Sequence, residues 1–151
     1  GSNSEESMQP TARPDRYEAG TPNTPGIAGL GASARFLAEN GDAIRAEETR
    51  VSRRLHELLA EIPGLRVLGP PPGEPRVPVV SVVHDRIDAD RIAFELDARY
   101  RVAVRAGLHC APWAHETAGT LATGATRFSV GHGVSIDDAE RVAAAVAEIC
   151  R

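Results

Sequence analysis

The sequence predicts an α+β fold, a small sheet with helices packed on one side of it. Three observations carry this. Stretches with helical spacing of apolar residues stand early in the chain, in its middle and at its end, short apolar or β-branched runs lie between them, and Pro/Gly segments separate the runs. With 42% apolar residues among 151, the chain is long and apolar enough to bury a core.

Residues 1–25 read as irregular, punctuated by Pro10, Pro14, Gly20, Pro22 and Pro25. Thr24 as N-cap, with Pro25 at the first helical position, opens a helix on which Ile27, Leu30, Ala34 and Leu37 share a face. Asn40-Gly41 is expected to stop it. Asp42 then caps a second, longer helix with Ile44, Val51, Leu55, Leu58, Leu59 and Ile62 inward, ended by Pro63-Gly64. Residues 65–68 form a short strand, 69–75 a Pro/Gly loop, and 77–84 a buried β-branched strand. Asp88 caps a helix that buries Ile92, Ala93 and Leu96. A short strand over 102–105, a loop over 106–111, a short helix from Pro112 to Ala118 and a strand over 126–130 come next. Ser135 and Asp138 resemble a capping box and open the last helix, which runs through Ile149.

Charge and composition exclude several classes. The net charge is −4, so the basic excess of a nucleic-acid binder is missing. The longest apolar runs, 77–80 and 143–147, are too short to span a bilayer. Residues 1–9 are polar and acidic, unlike a leader. Two cysteines make no disulfide framework, and the expected location is the cytoplasm. All 17 basic residues are arginine, so this chain supplies no lysine amine for a Schiff base.

Cys110 is the most informative residue. It is placed in a loop between a strand end and a short helix, close to Arg105 and His109, surroundings that favour the thiolate that attacks sulfur or carbon. A buried, inert cysteine is the competing reading. Arg127 lies inside a predicted strand, where it either faces solvent or offers its planar fork to a carboxylate. Thr21 stands in a Thr-Pro-Asn-Thr-Pro-Gly turn ahead of a helix start, a place that caps the helix or receives an anion. His109, Cys110 and His115 lack the spacing of a zinc site, and no metal is expected.

Three blocks carry a resemblance to a known family. They are Arg16-Tyr17-Glu18-Ala19-Gly20-Thr21-Pro22-Asn23 running into Gly26-Ile27-Ala28-Gly29-Leu30-Gly31, then Val104-Arg105-Ala106-Gly107-Leu108-His109-Cys110-Ala111-Pro112, then Gly124-Ala125-Thr126-Arg127-Phe128-Ser129. In this order and spacing the chain resembles the C-terminal part of PLP-dependent class V aminotransferases, specifically the cysteine desulfurase and selenocysteine lyase group. The resemblance implies a fold-type-I enzyme, a homodimer when full length, with pyridoxal 5'-phosphate held by a lysine of its large domain. It implies that Cys110 takes sulfur from L-cysteine as a persulfide, leaving L-alanine, and that a sulfur-acceptor protein can then collect it. It implies that Arg127 clamps the substrate carboxylate, that Arg105 and His109 line the pocket near the cysteine, and that Thr21 reaches the PLP phosphate of the neighbouring subunit.

Two departures stand beside the likeness. The PLP lysine is absent from the chain, and His132-Gly133-Val134-Ser135 stands where the family commonly has an aromatic, Asn and Thr. The chain is therefore expected to be a fragment, inactive alone. Residues 1–31 would be the tail of the large domain with its phosphate-contacting loop, and 32–151 the connecting helix and C-terminal small domain. The alternatives are a selenocysteine lyase or other class V aminotransferase, and a non-catalytic thiol module that carries persulfide or docks a partner.

Overall fold

The computed structural model describes residues 5, 7, 8, 10–18 and 20–151. Two compact units divide the chain, Gly1–Gly41 and Asp42–Arg151. In the first, turns closed by bonds such as Arg16 N–H to Ala12 O at 2.9 Å lead to helix α1 (Thr24–Ala60). The cap is Asn23 rather than the expected Thr24. Its Oδ1 accepts from the Gly26 N–H at 3.1 Å and its carbonyl from the Ile27 N–H at 2.9 Å, so Thr24 and Pro25 already belong to the first turn. Ile27, Leu30 and Leu37 are exposed on this part of the helix.

The expected break at Asn40-Gly41 does not occur, and α1 is one helix of 37 residues. A helical glycine costs only about 1 kcal/mol against alanine, which the turns on either side outweigh. Asn40 turns its amide back on the helix instead of ending it, donating to Phe36 O at 2.9 Å.

The second unit is built on a four-stranded antiparallel sheet in the order β1-β2-β4-β3. Its strands are β1 (Leu65–Leu68), β2 (Val79–His84), β3 (Arg105–Gly107) and β4 (Ala125–Ser129). Helices α2 (Ala89–Tyr100) and α4 (Ile136–Ile149) and the later turns of α1 supply the other half of the core. Val51, Leu55 and Leu59 of α1, Ile92 and Leu96 of α2, and Ala143 and Val146 of α4 pack with Val80, Val82 and Phe128 of the sheet. Val80 pairs with Phe128 and Val82 with Thr126, so these four side chains share the inner face. Thr126, fully buried, satisfies its hydroxyl by donating to Ala89 O at 3.2 Å. The period-2 pleat turns Val79, Ser81 and Arg127 to the outer face, and that face positions the site.

Other boundaries shift for local reasons. β2 begins at Val79 rather than 77, because Pro78 has no N–H to give, although its carbonyl accepts from Val130 N–H at 2.9 Å. The expected strand at 102–105 lies instead at 105–107. Arg101, left-handed at φ 58°, closes α2 with its N–H on Asp97 O, and residues 102–104 are spent leaving the helix. β4 starts and ends one residue early, and the short helix α3 runs Pro112–Thr117. The capping box at Ser135 and Asp138 is complete, each side chain accepting from the other's backbone N–H. Among the described residues no helix is long and apolar enough to cross a membrane.

Candidate functional site

The outer face of the sheet floors a cleft of about 480 Å³. Leu68, Ser81, Arg127 and Arg105 form one row across the four strands by register, and the first three line the cleft. One wall is the Pro-rich loop before β2, the other the segment that carries His109, Ala111 and α3. Among the described residues no Asp or Glu lines it.

Cys110 stands at the rim of this cleft, exposed, between two lining residues. His109 and Cys110 have φ of 53° and 59°, and the Ala111 N–H closes on Leu108 O at 2.9 Å. Two positive φ values inside a closed four-residue turn are the signature of type I′, a turn that favours Asn and Gly. Here neither residue is glycine, and each left-handed residue costs about 1–2 kcal/mol. Surrounding structure has to hold such a turn in place.

The side chain of His109 points inward from this turn. Both ring nitrogens are buried and neither completes a hydrogen bond among the described residues. Burial pushes its pKa below the usual histidine range, and the charges of Arg127, His115 and Arg105 push it the same way, against a smaller upward push from the Ala125 backbone. His109 is therefore neutral at pH 7.

Arg105 and Arg127 face each other directly across β3 and β4. Like charges in register are unfavourable, yet among the described residues no carboxylate pairs with either, and the buried Nε of Arg127 has no partner. The arrangement suits an anion with two acceptor oxygens.

Three site residues escaped sequence reading. Arg76 lines the cleft and braces its Pro-rich wall, donating to Pro70 O and Val79 O at 3.0 Å each and contacting His56 Nδ1. Burial, then the charge of Arg76, pushes the His56 pKa down. His115, noted in the sequence only as a rejected metal ligand, is buried at 6% exposure with its ring centroid 5.5 Å from that of His109. Its Nδ1 lies 2.8 Å from Oγ1 of Thr120, which is 2% exposed. No local pattern marks these residues, because each meets its partner only through the fold.

Thr21 belongs to the first unit, exposed in a bend ahead of α1, and Ala19 of the same sequence block lies outside the described residues. A larger hollow of about 770 Å³, beside the ends of α1 and α4, contains Cys150 and none of the predicted site residues. Burial, reinforced by Asp85, pushes the Cys150 thiol up, away from reactivity. Among the described residues no group of three or more His, Cys, Asp or Glu could hold a metal ion.

Residues 2–142 match the family model described as Aminotransferase class-V. The chain belongs to the class-V aminotransferase family. This class-V chain is 39% identical over 134 residues to "Probable cysteine desulfurase 2" of Mycobacterium leprae, covering 88% of its own length and 31% of that protein. It is 40% identical over 99 residues to a cysteine desulfurase of Dickeya dadantii, covering 65% of its own length and 23% of that one. The apo structure of a cysteine desulfurase from Thermococcus onnurineus NA1 superposes with a TM-score of 0.79 at 30% identity, over 91% of this chain and 34% of that one. The cysteine desulfurase CsdA (S-sulfonic acid) from Escherichia coli superposes with a TM-score of 0.75 at 26% identity, over 90% and 33%. The class-V chain thus spans about a quarter to a third of the length of the curated relatives it matches. Its small antiparallel sheet with packed helices is a part of the PLP fold-type-I architecture of these neighbours.

Proposed function

We propose that this chain is the sulfur-receiving part of a PLP-dependent cysteine desulfurase, with L-cysteine as substrate and L-alanine as product. One observation carries the reading: an exposed thiol, Cys110, stands at the rim of a cleft floored by an arginine that lacks a carboxylate partner. The names of the relatives point to the same chemistry. Residues 1–31 are the tail of the large domain and 32–151 the connecting helix and small domain of an enzyme that works as a cytoplasmic homodimer.

The residues present fit one side of a PLP site. Arg127, its buried Nε without a partner, and Arg105 opposite it suit the substrate carboxylate. The exposed Thr21 would serve the other subunit's site, bonding to the cofactor phosphate there. The covalent anchor is not in this chain, which has no lysine. When bound, PLP supplies the electron sink that loosens the bonds around the substrate Cα.

The chain's own residues do the rest. Arg127 and Arg105 hold the carboxylate and fix the direction of the substrate side chain. The Cys110 thiolate attacks the substrate sulfur. A sulfur–sulfur bond forms, the carbon–sulfur bond breaks with its electron pair left on carbon, and that carbon takes a proton to become the methyl group of alanine. Cys110 is left as a persulfide, oxidised by the two electrons that alanine gains, for a thiol acceptor to collect.

The test is co-expression of the chain with a lysine-bearing large domain from one of its relatives. L-cysteine should then give alanine and a Cys110 heavier by one sulfur atom. Cys110→Ser should lower alanine release more than about a hundredfold. Release of selenide from selenocysteine that survives Cys110→Ser would point to a lyase. Sulfur taken up on Cys110 from a persulfide donor, with no alanine formed in the complex, would point to the carrier module.

A further inference from the structure

We infer that the buried Thr120–His115 pair is the seat that holds His109, and through it the left-handed His109–Cys110 turn, at the rim of the cleft. His115 is a positioning residue in this scheme, and the proposal deepens the role given above to Cys110. Four observations meet here. Two consecutive non-glycine residues sit at positive φ, a conformation that persists only where neighbours over-determine it. The turn's own closure is a single bond, Ala111 N–H to Leu108 O at 2.9 Å, and Cys110 is exposed, so the hold comes from His109. His109 completes no hydrogen bond of ordinary geometry among the described residues, its ring meeting only the Ala125 backbone, which leaves packing as its main anchor. The ring it packs on, His115, is itself fixed, with Nδ1 2.8 Å from Thr120 Oγ1.

Thr120 also sets the tautomer. Its hydroxyl has two acceptors within reach, His115 Nδ1 at 2.8 Å and His115 O at 3.5 Å. The second lies beyond normal O–H···O range, and that carbonyl already receives the Thr120 N–H at 2.8 Å. The hydroxyl therefore donates to Nδ1, and His115 carries its proton on Nε2. A ring locked in rotation and protonation gives His109 one fixed surface to stack on.

Amide hydrogen exchange on the chain itself tests this, with no cofactor needed. The Ala111 amide reports turn opening, and the Val80 and Phe128 amides report the sheet. Thr120→Val removes one hydroxyl and keeps the volume. It should speed Ala111 exchange about fivefold or more and leave the two sheet amides unchanged, and Thr120→Ser should restore the slow rate. His115→Ala should speed it further. Should that variant unfold, the threonine pair carries the test alone. A nitrogen-15 spectrum of the imidazole should show the proton on Nε2. Unchanged Ala111 exchange in Thr120→Val, acceleration shared equally by all three amides, or a proton on Nδ1 would overturn the proposal. A failure of sulfur transfer in the complex with intact Ala111 protection would count against the desulfurase reading and leave the seat standing.

Discussion

Gly124 leaves the base of the cysteine-bearing segment almost no slack. Its φ is +64°, and a Cβ there would stand 2.7 Å from the Cα and 2.8 Å from the carbonyl carbon of Gly107. Backbone cannot step aside as a flexible side chain can. Gly124→Ala should therefore cost about 3 kcal/mol, the sum of a left-handed alanine and a backbone shift, read as a drop in the urea midpoint at unchanged slope. A cost below about 1 kcal/mol would mean that β3 is not seated as described. The predicted residues divide at this same scale. Arg105, His109, Cys110 and Arg127 could be singled out as candidates because they stand in short blocks whose order is distinctive. His115, Thr120 and Arg76 were not, because the properties that matter in them, burial and a partner five or twenty residues away, arise only on folding.

Elements were legible where their punctuation is self-sufficient. Ser135 and Asp138 contain both halves of a capping box, and α4 begins where they place it. Ser135→Ala should cost about 1 kcal/mol, seen as a lower urea midpoint with the sheet intact, and Ser135→Thr should recover most of it. Asn40-Gly41 misleads because the same pair ends a helix or merely weakens one, and the downstream residues make the choice. Eleven helical residues after Gly41, Ser52 packs at 2% exposure beside Val51 at 0%, and that burial draws the helix on. The displaced β3 has a similar origin. Its pairing with residues 125–127 is a long-range event, and β propensity over Val102 and Val104 cannot register it.

For the whole molecule, two histidines tie stability to acidity. His56 and His109 both have pKa values pushed below the usual range, first by burial and then by neighbouring arginine. The folded chain therefore binds fewer protons than the unfolded one in this region. Their contribution is fully present above the unfolded histidine value of about 6.5 and is lost as the pH falls through the lower folded values. The urea midpoint should fall between pH 7 and pH 5, and His109→Gln should flatten part of that slope. A slope unchanged by the substitution would mean that His109 titrates alike in both states.

The register Gly107↔Ala125 has one more consequence. Everything between these two positions, the thiol turn, α3 and its histidine seat included, hangs from the sheet as a closed excursion on a two-point clasp. Closing a flexible loop grows more costly only slowly with length, about 0.6 kcal/mol for each doubling. Residues can therefore be added in the exposed turn 121–123 at little thermodynamic expense, whereas a change within the thiol turn or its buried seat would undo the packing that holds them. The excursion is in this sense a tether that can lengthen at its far end while the cysteine keeps the place its seat gives it.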